Sequence, residues 1–97
     1  MSRKRDIETI LKAHKNEWVS TYHLSSMGIF GSYARGEQTK VSDVDILVEF
    51  EKPIGLLKFV HFKDQLSGLL GMPVDLVMKS ALKPGIKDRI LGETQYL

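Results

Sequence analysis

The chain has no cysteine among its 97 residues, so disulfides and thiolate metal centres are excluded. A reducing, cytoplasmic setting is the expectation that fits. No apolar run approaches the roughly 18 residues of a membrane span. No apolar segment of signal-peptide type follows Met1–Arg5, so no membrane partner is expected. Charge of one sign is also scarce. The net charge is +2, too small to argue for nucleic acid by itself, and direct nucleic-acid binding is not expected. Internal repeats, low-complexity segments and interdomain linkers are absent. A chain this short buries only about 60–65% of its unfolded surface. One core fits in it, and residues 1–97 are expected to form a single domain.

What is present centres on Gly31–Phe50, GSYARGEQTKVSDVDILVEF. A small-residue turn, Gly31-Ser32, follows an apolar strand. Ser42-Asp43-Val44-Asp45 then runs into the apolar Ile46-Leu47-Val48. Asp43 and Asp45 are two apart, so on a strand they share a face, about 6.6 Å from each other along it. Carboxylates placed so repel one another unless a cation lies between them. They can share divalent ions with metal–oxygen bonds of about 2.1 Å. The same residues would serve an ordinary turn, because Ser and Asp bond their own backbone at such places. A third carboxylate, Asp75, opens a further apolar strand, Val74–Met78. A charge at a strand is costly unless paired or bound to a metal.

Taken in order, the chain predicts a first helix capped by Asp6, with Ile7, Ile10, Leu11 and His14 on one face. Trp18 and Val19 should continue that contact, with His14 half-buried. Arg3, Lys4, Arg5, Lys12 and Lys15 read as a solvated face. Leu24–Phe30 is the first strand. Gly28 in it marks close approach of a backbone or a nucleotide. A short helix, Ser32–Arg35, follows. Its free N–H groups would suit a phosphate, or Ser32 would simply cap it. Arg35 could fork onto a phosphate or pair with Glu37. Asp43–Phe50 is the second strand, with Val44, Ile46, Val48 and Phe50 on the helix-covered side and Asp43, Asp45 and Leu47 on the other. Leu56–Leu70 is a helix buried through Phe59, Phe62, Leu66 and Leu69 or Leu70. Gly71 and Pro73 end it. The crossover favours Val74–Met78 as a parallel partner of the second strand, which would set Asp75 beside Asp43 and Asp45. Pro84–Leu91 is a last helix, and 92–97 a tail or helical extension.

Gly31-Ser32, ten residues, then Asp43-x-Asp45 and a later strand Asp resembles the DNA polymerase beta-type nucleotidyltransferase superfamily. Gly31-Ser32-Tyr33-Ala34-Arg35-Gly36 with Ser42-Asp43-Val44-Asp45 is similar to its minimal nucleotidyltransferase (MNT) antitoxins. The resemblance runs from about Leu24 to the C-terminus. It implies a polymerase beta-like α/β fold, a small mixed sheet with helices packed on one face. It also implies transfer of AMP from ATP. Asp43, Asp45 and Asp75 would then be catalytic and hold two Mg²⁺ ions, with Mn²⁺ also suited. Gly31, Ser32 and Arg35 would bind the nucleotide. The implied partner is an all-helical HEPN toxin, modified on a tyrosine, and the implied source is prokaryotic. A non-catalytic module that occludes the same partner, or a nucleotide sensor, is the alternative. The oligomeric state, homo- or hetero-, stays open.

Overall fold

The computed structural model describes residues 3–39 and 41–97. Met1 and Ser2 of the basic N-terminal run, and Lys40 of the Glu37–Val41 loop, lie outside the described residues. The elements run α1 (Arg3–Tyr22), β1 (Leu24–Phe30), α2 (Gly31–Arg35), β2 (Val44–Phe50), α3 (Leu56–Leu70), β3 (Val74–Met78), a 3₁₀ turn (Lys79–Ala81), α4 (Pro84–Glu93) and β4 (Gln95–Tyr96). The sheet order is β3-β2-β1-β4. β2 and β3 are parallel, joined through α3, and β1 runs antiparallel to both β2 and β4.

Alternation along β2 decides the layering. Val44, Ile46 and Val48 point into the main core with Ile7, Leu11, Trp18 and Tyr22 of α1 and Phe62, Leu66 and Leu70 of α3. Phe62 is the hub of that core. It stacks on Tyr22 with centroids 4.4 Å apart and meets Trp18 edge-on at 5.4 Å. Ring pairs of this kind add about 0.5–1.5 kcal/mol beyond their buried area. Leu47 points the other way, into a smaller cluster with Phe30 and Ile90. The two long helices therefore share one face, as expected, and the short α4 covers part of the opposite one.

Four local expectations need correction. α1 starts at Arg3 rather than at Asp6, because Arg and Lys are good helix formers and nothing there breaks the helix. Val19 is 42% exposed. The buried stripe runs Ile7, Leu11, Trp18, Tyr22, and Val19 sits about 100° off it. β2 begins at Val44, leaving Asp43 just ahead of the strand. The tail is neither loose nor only helical. α4 continues to Glu93, and Gln95–Tyr96 then adds a strand to β1.

Gly28 is where that added strand is admitted. A Cβ there would lie 2.5 Å from Thr94 Cγ2 and 3.0 Å from the Gln95 carbonyl. The close approach is thus by backbone. Gly→Ala at a compatible site stabilises by about 0.4–1 kcal/mol. Here we expect the opposite: Gly28→Ala should cost about 1–3 kcal/mol through overpacking. Urea unfolding checks this, and an unchanged midpoint would show that β4 contributes nothing.

Candidate active site

The site is assembled at the end of the sheet where β1 finishes and β2 and β3 begin. Pairing sets Asp45 between Phe30 of β1 and Asp75 of β3. The parallel register thus lays the Asp45 and Asp75 side chains next to each other, on the face away from the main core. Asp45 is half-buried, whereas Asp43 and Asp75 are exposed. Burial, the neighbouring Asp75 and then Asp43 push the Asp45 carboxyl from 3.8 up to about 6, with Arg35 opposing. Asp75 is close enough to share a proton with it. The cause is elementary, since a charge partly withdrawn from water beside like charges favours its neutral form.

Gly31 closes the site on the β1 side. It ends the strand in a left-handed conformation, φ +73°, and a Cβ there would fall on the Asp45 carboxylate. The residue is therefore glycine for two reasons, a backbone that L side chains adopt at a cost and an acid seated against its Cα. Ser32 is half-buried in the first turn of α2. It does not cap that helix: Phe30 occupies the cap position in extended backbone, without a side-chain cap bond.

Arg35 leaves the end of α2 and is held by two acids. Its Nε donates to Glu37 Oε1 at 3.2 Å and its Nη1 to Glu93 Oε2 at 2.9 Å. The Glu37 pairing was one of the two sequence expectations. Glu93 was not foreseen. The same Oε2 also accepts from the Gly31 N–H at 2.6 Å. Glu93 lies 62 residues from Gly31. The one available signal was its place on the α4 stripe Ile86, Ile90, Glu93 at i, i+4, i+7.

The donor set is all oxygen, which suits Mg²⁺ or Mn²⁺ rather than a soft metal. Among the described residues, no three His, Asp or Glu side chains already converge at metal-ligating spacing. Asp45 and Asp75 touch while Asp43 stands off. The two outer acids are solvent-exposed and can reorient. The repulsion that raises the Asp45 pKa is what a divalent cation would relieve, so the residues fit such an ion. A cavity of about 860 Å³ opens between the α2–β2 loop and Met72-Pro73. None of the three aspartates lines it; Asp43 and Asp75 are exposed and Asp45 is half-buried.

Residues 7–97 match the model of the nucleotidyltransferase domain family. The protein adenylyltransferase MntA of Thermococcus cleftensis is 51% identical over 92 residues, covering 95% of this chain and 93% of that protein. A solved structure described as that of a minimal nucleotidyltransferase superposes with a TM-score of 0.77 at 34% identity, over 94% of this chain and 95% of that one. The MNT antitoxin in a complex with a tri-AMPylated HEPN toxin of Shewanella oneidensis shares the fold, at TM-score 0.63 and 18% identity, over 97% of this chain and 67% of that one. Among the described residues no helix is long and apolar enough to cross a membrane. With an acidic cluster set against a glycine turn at one end of a small mixed sheet, and with matches spanning nearly its whole length, the chain belongs to the nucleotidyltransferase domain family, as one of its minimal members, and is a nucleotidyltransferase.

Proposed function

We propose that this chain, acting as one domain, transfers AMP from ATP to a tyrosine hydroxyl of an all-helical HEPN partner and thereby works as the antitoxin of a pair. One observation carries the reading. Asp45 and Asp75 lie side by side on adjacent strands, Asp45 against Gly31 of the Gly31-Ser32 turn, with the exposed Asp43 just ahead of β2. The names of its relatives point the same way, and the exposure of Asp43 and Asp75 leaves room for a protein acceptor.

In this reading Asp43, Asp45 and Asp75 hold two divalent ions, Mg²⁺ for preference. When bound, such a pair supplies positive charge to the attacking and leaving oxygens of an in-line displacement. Asp75 is exposed and accepts the proton of the tyrosine Oη as that oxygen bonds to the α-phosphorus. The bond from the α-phosphorus to its bridging oxygen breaks, and pyrophosphate leaves. The Gly31 N–H and the Ser32 hydroxyl hold the triphosphate, with the Arg35 guanidinium as a further donor. Fixing two reactants in register can supply about 7–11 kcal/mol of a barrier. A bound partner protein provides that positioning, and free tyrosine does not.

Co-expression with a helical HEPN protein tests the reading. Mass spectrometry of the partner should show added AMP with the wild type and none with Asp43→Asn. An unmodified partner that is still inhibited by the Asp43→Asn protein would replace transfer with occlusion.

A further inference from the structure

Two of the three donors assigned above to the triphosphate are already in use. A single oxygen, Glu93 Oε2, takes the Gly31 N–H at 2.6 Å and Arg35 Nη1 at 2.9 Å. The Glu93 side chain is only 17% exposed. One anionic oxygen gripped by a backbone amide and a guanidinium is the arrangement a phosphate oxygen would adopt there. The segment that carries it is anchored on both sides. Ile90 packs on Phe30 and Leu47. After Glu93, the Gln95 side-chain amide donates to the Ala34 carbonyl at 3.1 Å, and the Leu97 N–H to the Met27 carbonyl at 2.9 Å. The carboxylate can therefore leave by rotating its own side chain while α4 and β4 stay in place.

We infer that Glu93 is an internal stand-in for a phosphate oxygen of the incoming nucleoside triphosphate, and that it sets nucleotide affinity by competing for Gly31 and Arg35. The inference rests on the triphosphate reading of the turn. A ligand that binds only the fraction of molecules with open donors has its apparent affinity reduced by that fraction. Glu93→Gln removes the charge that holds the closed form. Glu93→Asp keeps the charge but is one methylene too short to reach both donors.

Calorimetric titration with MgATP distinguishes the outcomes. Both variants should bind about tenfold more tightly than the wild type, although each loses an ion pair and should melt at a lower temperature. A brace would act in the opposite direction, weakening stability and binding together. Arg35→Gln should also cost more affinity in the Glu93→Gln background than in the wild type, because only there is the guanidinium released. Unchanged or weaker binding by the variants, with a wild type that binds ATP, overturns the competition. Tightening in Glu93→Gln alone assigns the effect to charge and overturns it too. No binding by any of the three proteins removes the triphosphate reading itself, and the inference with it.

Discussion

Asp45→Asn is expected to lower AMP transfer by at least about 10²–10³-fold, because several kcal/mol of transition-state charge stabilisation depend on the acids and each 1.36 kcal/mol is tenfold in rate. Asp43→Asn should do the same. Asparagine keeps the shape and loses the charge. A variant of either kind that transfers at the wild-type rate would end the assignment of these acids to the metal. The Asp45 change has a second, opposite effect. The folded protein holds the Asp45 proton more tightly than the unfolded chain, with the pKa raised from 3.8 to about 6. That proton-linked stability is fully present below about pH 4 and is lost as pH rises through 6. At pH 7 to 8 the wild type therefore carries a penalty that asparagine does not. Two units correspond to about 3 kcal/mol, and solvent screening of a partly exposed group reduces this to about 1–2 kcal/mol. For a domain of this size that is roughly 4–16 °C in Tm. Metal-free melting at pH 7.5 and pH 4 measures it. Asp45→Asn should be the more stable protein at the higher pH, and the gap should close at the lower. Mg²⁺ should then raise the melting temperature of the wild type and leave Asp45→Asn nearly unmoved.

Gly31→Val is the second large effect, and it should damage fold and activity together. The left-handed backbone alone costs a side chain about 1–2 kcal/mol. The Cβ would in addition fall on the Asp45 carboxylate, forcing it out of register with Asp75. Misplacing a reacting group by about 1 Å can cost 10²-fold. The loss should exceed that of Ser32→Ala, where one donor to a developing charge is removed and the backbone donors stay. The collision can be separated from the strain by a double-mutant cycle. Gly31→Ala should destabilise less in an Asp45→Ala background, because the carboxylate is gone and only the backbone term remains. Additive costs would show that the two residues do not meet.

Much of this was legible in the chain. β1 spans Leu24–Phe30 in the fold as the apolar run between the glycine turn and the first helix suggested. The alternation of Val44, Ile46 and Val48 against Asp45 and Leu47 declared which side of β2 faces the long helices. The α3 crossover favoured a parallel β3, and the register of that pairing puts Asp75 next to Asp45. These are consequences of period-2 geometry and of short-range connection rules, which depend on neighbours in sequence. Tertiary structure decided the rest. The sequence explained Gly31 by a phosphate, whereas the fold adds an acid from the adjacent strand pressed against its Cα. The sequence offered Arg35 a choice between phosphate and Glu37, and the fold supplied Glu93. The last residues became a strand because β1 had an open edge and Gly28 left room beside it. No periodicity in the last residues encodes which edge they will reach. Contacts across 62 residues follow only from the direction α4 takes over the sheet, and that direction is set by Ile90 finding Phe30 and Leu47.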